Sequence, residues 1–104
     1  MADVLKRSTG QATIAGTAIY TVPTGAIATI IGCRGANTDT GAAHWVTFSI
    51  DSVAVSAAET PLPAGSAIDI MAGAKLVAEA GDVVTAFSDT DDDVDVYVSY
   101  LEQT

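Results

Sequence analysis

Apolar and polar positions alternate with a period of two along much of this chain. Val94, Val96, Val98 and Tyr100 are interleaved with Asp93, Asp95, Tyr97 and Ser99. Val46, Phe48 and Ile50 alternate with Trp45, Thr47 and Ser49, and Val83, Thr85 and Phe87 with Val84 and Ala86. Successive side chains of an extended strand point to opposite faces, so each run predicts a strand with one buried face. No stretch of helical length carries an i, i+3, i+4 apolar stripe, and Gly, Thr and Val interrupt every Ala-rich segment.

Turn signals punctuate these runs. Val22-Pro23-Thr24-Gly25 and Leu62-Pro63-Ala64-Gly65 share one form, in which Pro sets φ at the first central position and Gly accepts the closing geometry. Glu79-Ala80-Gly81-Asp82 is a third tight turn, Asn37–Gly41 a longer loop, and Asp89–Asp93 a polar hairpin connection. Between them strands are predicted near 11–22, 26–36, 44–51, 53–58, 66–72, 75–79, 82–88 and 94–101. The reading is all-β: a single β-sandwich, jelly-roll-like, of about eight short antiparallel strands. Residues 1–10 read as a polar N-terminal arm with little structure, and 11–104 as the sandwich domain. Residues 22–31 echo 62–71 at an offset of 40, as though two equivalent strands entered from similar corners.

Composition adds an imbalance. Hydrophobic residues make up 49% and charged residues only 16%, yet 13 acids face 4 bases and the net charge is −9. Five of those acids fall within residues 89–95. A phosphate backbone would be repelled by such a surface, so no nucleic-acid partner is expected. The 26 uncharged residues between Arg7 and Arg34 are long enough to cross a bilayer, but Gly and Pro interrupt them and six Thr are interleaved, so no membrane span is expected either. No apolar signal-peptide core is visible at the N-terminus. Cys33, the only cysteine, reads as a small buried hydrophobe.

Candidate chemistry is sparse. One Cys and one His make no zinc set, no G-x-S-x-G or phosphate-cradling loop is present, and the scattered carboxylates fall in turns or on outward strand positions. The chain therefore reads as neither an enzyme nor a cofactor binder. Asp89, Asp91 and Asp93 have the 1, 3, 5 spacing of Ca²⁺ ligands, although Val94 and Tyr100 stand where an EF-hand needs Gly and Glu; the alternative is a solvated hairpin tip. Trp45 and Tyr97 fall opposite the main aliphatic set. They are either a packing layer of the second sheet or ordinary half-exposed aromatics, or else anchors at a subunit interface or a sugar-stacking platform. Residues 11–22 and 26–36 carry apolar or small residues on both faces, more than two layers of a chain this size can cover, so one face is expected to meet another subunit.

The order Tyr20–Gly25, an Ala/Ile strand ending near Ala36-Asn37, Leu62–Ser66, Lys75–Asp82 and a closing Val-Tyr-Val-Ser-Tyr-Leu-Glu102 resembles a group of small β-sandwich virion structural proteins of tailed bacteriophages. The resemblance spans residues 18–102. It implies a capsid decoration or cement protein, made in the host cytoplasm and located in the virion. Its partners would be its own copies, as a homotrimer or other homo-oligomer, and a major capsid or another virion protein. A tail, neck or fibre subunit is the alternative within that class. A carbohydrate- or receptor-binding sandwich, assisted by Ca²⁺ at Asp89–Asp95, is the alternative outside it. Lys6 and Arg7 in the arm are further interface candidates; deleting residues 1–9 is expected to weaken attachment while leaving the fold intact.

Overall fold

The computed structural model describes residues 3–71 and 74–104, and ten strands account for its regular structure: β1 (Asp3–Gln11), β2 (Thr17–Thr21), β3 (Ile27–Asn37), β4 (His44–Ile50), β5 (Val53–Ala54), β6 (Thr60–Leu62), β7 (Ala67–Asp69), β8 (Leu76–Ala78), β9 (Val83–Ser88) and β10 (Val94–Gln103). They pair like one long hairpin wound upon itself. β1 pairs with β10, β2 with β9, β3 with β7 and β8, and β4 with β5 and β6, every pair antiparallel. One sheet runs β1-β10-β3, with β7 and β8 in tandem along the far edge of β3; the other runs β2-β9-β4, with β5 and β6 in tandem along β4. Counting each tandem pair as one strand gives two four-stranded sheets in jelly-roll order, the sandwich that the alternation predicts.

The inward residues of both sheets meet in one core. Phe48, Ile30, Leu62, Val22, Val46, Val84, Val94 and Val98 are its largest fully buried side chains. Cys33 is buried among them, and loss of solvation pushes its thiol up to about 12, followed by a smaller effect of Asp69. It behaves as the small hydrophobe expected of it.

Several boundaries differ from the sequence reading. The expected arm is a strand: residues 3–11 are hydrogen-bonded along β10 from Asp3↔Gln103 to Gln11↔Asp95. Its side chains are mostly exposed because β1 is an edge strand, held by its ladder rather than by a buried face. Removing residues 1–9 would strip most of that edge and expose β10, so the fold would not stay intact. The tract 11–22 holds the last residue of β1 and all of β2; residues 12–16 carry the chain from one sheet to the other, pinned by Ala12 N–H to Val94 O and by a bridge between Thr13 and Phe87. The uncharged stretch after Arg7 is thus divided among three strands. Residues 53–58 shrink to β5, and Thr60–Leu62 forms a strand the pattern did not mark. The end of the expected strand 66–72 lies outside the described residues.

The echo between 22–31 and 62–71 has a physical counterpart. Ala26 N–H bonds Pro23 O and Ser66 N–H bonds Pro63 O, with Gly25 and Gly65 both at positive φ. Pro therefore occupies the first position of each turn, not the first central one. The two turns deliver β3 and β7, neighbours in one sheet.

At the end of the sandwich where β1 begins, a polar network joins the sheets. Tyr20 Oη donates to Glu102 Oε2 at 2.7 Å and Lys6 Nζ to Glu102 Oε1 at 2.9 Å. Tyr20 also stacks on Tyr100, with ring centroids 3.8 Å apart. The Tyr20 hydroxyl and then Lys6 hold the Glu102 carboxyl below its usual range. A carboxyl depressed by folding contributes stability above its unfolded pKa, about 4.3 for glutamate, and loses it as pH falls through the folded value. The melting temperature is expected to drop as pH is lowered from 5 toward 3. Glu102→Gln should start lower at pH 7 and fall less steeply; an equal slope in both proteins would remove Glu102 from this account.

Candidate functional site

Two places gather the residues singled out by sequence. The first is the outer face of the β1-β10-β3 sheet. Leu5 stands opposite Leu101, Leu101 opposite Thr29, and Thr29 opposite Val77, a row across the whole sheet. Leu5 is 70% exposed and Val77 66%. Ile27, at the next row, and Ile31 extend this patch. Ile31 keeps the outward phase of Ile27 and Thr29; the β3–β10 register then shifts, setting Ile31 and Gly32 against Ser99 and turning Cys33 inward.

Three interface candidates converge beside this row. Leu5, Lys6, Arg7, Ile31, Tyr97 and Ser99 line a shallow hollow of about 320 Å³. The Arg7 guanidinium lies 6.0 Å from the centre of the Tyr97 ring, within cation–π range. Lys6 turns inward to Glu102. Trp45 is not part of this patch. Val46 and Phe48, the alternate positions that follow it on β4, enter the core from the other sheet, so Trp45 lies on the opposite outer surface, half-buried. Both aromatics avoid the aliphatic side of their strands as expected, but they cannot serve one interface. All four bases fall on or beside the sheet that carries Tyr97: Lys6 and Arg7 on β1, Arg34 on β3 and Lys75 just before β8.

The second place is the opposite end of the sandwich, where the loops 38–43 and 89–93 flank the start of β4. The proposed trio Asp89, Asp91 and Asp93 does not converge. Asp91 Oδ1 accepts the Ile14 N–H at 3.0 Å, tying down the 12–16 crossover. Asp89 and Asp93 instead close on His44, joined by Asp39. His44 Nδ1 lies 3.1 Å from Asp89 Oδ1, and Nε2 lies 3.1 Å from Asp39 Oδ2 and 3.3 Å from Asp93 Oδ2. Asp89 and then Asp39 push the imidazole pKa up. The Gly41 N–H and then His44 hold Asp39 low. Partial burial works to raise Asp89, but hydrogen bonds from His44, the Trp45 N–H and Ser88 outweigh it.

The sequence reading missed Asp39 and gave His44 no acidic partners. It also missed Asn37, a buried side chain whose Nδ2 donates to Ala42 O and Leu62 O and whose Oδ1 accepts the Asp39 N–H. Asn37 thereby fixes the loop that carries Asp39. The available signal was local: Asn-Thr-Asp-Thr-Gly is a self-bonding turn sequence shortly before the only histidine. No protein-family model matches the chain, and neither the curated proteins nor the solved structures searched contain a match to it.

Proposed function

We propose that this chain is a non-enzymatic assembly module, a virion structural protein of the decoration or cement kind, whose copies associate through the outer face of the β1-β10-β3 sheet. The observation that carries the reading is the apolar row Leu5–Leu101–Thr29–Val77, extended by Ile27 and Ile31. Exposed aliphatic groups gathered on one face cost solvation free energy that a covering subunit removes. Charges of both signs lie along this face, Asp3 and Arg7 flanking Leu5 on β1 and Arg34 opposite Asp69 further along β3, so the face suits a second copy of itself. The jelly-roll order is shared by viral capsid and lectin domains and does not choose between them. The resemblance of residues 18–102 to phage virion proteins favours the particle.

Light scattering of the purified chain at micromolar concentration tests the assembly step. A homo-oligomer, with a trimer as the expected state, supports the reading; a clean monomer overturns it. The double variant Leu5→Asp with Val77→Asp should be monomeric yet still fold and melt cooperatively, since both side chains are exposed in the single chain. A density map of the particle tests the location, with this face expected to be covered; a face open to solvent would sink the assignment.

A further inference from the structure

We propose that His44 Nε2, Asp39 Oδ2 and Asp93 Oδ2 form a binding site for a divalent transition-metal ion of the zinc class, at the loop end of the sandwich and apart from the assembly face. The three donor atoms lie within 4.8 Å of one another. The separations of Nε2 from the two oxygens, 3.1 and 3.3 Å, match the edge of a tetrahedron whose metal–ligand bonds are about 2.0 Å, an edge of about 3.3 Å. The third edge, between the two carboxylate oxygens, lies within 4.8 Å.

The imidazole is what makes this a donor set rather than a group of acids. Asp89 sits on Nδ1 and is itself held by the Trp45 N–H and Ser88 Oγ. A carboxylate on one ring nitrogen fixes the tautomer and turns the lone pair of the other toward the metal, the usual arrangement behind a metal-bound histidine. Asp39 is aimed in the same way: its Oδ1 accepts the Gly41 N–H at 2.8 Å, leaving Oδ2 for the site. Thr90 Oγ1 donates to Asp93 Oδ2 at 3.1 Å and orients it.

Charge points the same way. Three carboxylates surround a histidine that carries at most one positive charge, in a loop region that also holds Asp91 and Asp92. Solvent reaches the site, with the His44, Asp39 and Asp93 side chains 14%, 32% and 37% exposed, which leaves a fourth position for water. A nitrogen donor with two carboxylate oxygens suits zinc-class ions, whereas Ca²⁺ takes six to eight oxygens. The ion would tie the loop after β3 to the loop before β10.

The test is calorimetric titration of the chelator-treated full chain with Zn²⁺, and separately with Ca²⁺. One Zn²⁺ per chain is expected, tighter than Ca²⁺ by at least tenfold and accompanied by a rise in melting temperature. His44→Gln and Asp39→Asn should each weaken Zn²⁺ binding tenfold or more, while Asp91→Asn leaves it unchanged. If those variants fail to fold, Co²⁺ added to the unaltered chain supplies the readout, with intense visible bands expected from a tetrahedral N/O site. No Zn²⁺ binding, equal or tighter Ca²⁺ binding, binding indifferent to His44 and Asp39 in folded variants, or a Co²⁺ spectrum like that of the hydrated ion would each overturn the proposal.

Discussion

Truncating Phe48 to alanine is expected to remove about 3–5 kcal/mol of stability. Phe48 is fully buried on β4, and Ala86, directly across the ladder on β9, is too small to fill the space it would leave. The core it belongs to is rich in β-branched and small residues, such as Val46, Val84 and Val98, whose short side chains cannot swing into a cavity of that size. A domain of this length has about 5–15 kcal/mol in total, so the variant would approach the limit of folding. Urea unfolding checks it: the midpoint should fall sharply with little change in slope. A cost below about 1 kcal/mol would mean that the core collapses around the deletion, against the packing described here.

Gly16→Ala is the second large effect, about 2–4 kcal/mol from backbone strain together with overpacking. Gly16 closes the crossover that takes the chain from β1 to β2, with φ of +94°. A Cβ there would lie 2.4 Å from a Phe87 ring carbon. The ring would have to leave its place on the outer face, and the left-handed backbone would be strained besides. Gly25→Ala separates the two causes. Gly25 has φ of +82° and nothing within 4 Å of an added Cβ, so only the strain, about 1–2 kcal/mol, remains. Equal losses at both sites, measured by denaturant unfolding, would show that the Phe87 contact carries no cost.

The alternation that marked the strands at 44–51, 82–88 and 94–101 was legible because each has one face in the core, and burial writes its period into the sequence. The first strand was not legible for the converse reason. Val4, Leu5, Lys6 and Arg7 are all exposed on an edge held by backbone hydrogen bonds, which leave no pattern in the side chains. β6 was hidden by Pro61 within a three-residue strand, a residue that reads as a breaker yet is tolerated at a sheet edge.

The candidate sites divide along the same line. An apolar second face on residues 26–36 was visible as Ile27 and Ile31, and the structure leaves both exposed. That Leu5 and Val77 flank the same row was not visible, because 72 positions separate them and only the pairing of β1, β10, β3 and β8 aligns them.

The sequence by itself determined an all-β chain, the places of its turns and the acidic loop at 89–95, because strand period, turn chemistry and charge are local properties. Only the tertiary structure decided that His44 sits among Asp39, Asp89 and Asp93 while Asp91 bonds the crossover. The 1, 3, 5 spacing placed three acids on one loop, but which way each side chain turns depends on the strands packed beside it. Those neighbours are set by the long-range pairing of β3 with β10 and β4 with β9, which joins residues far apart in the sequence.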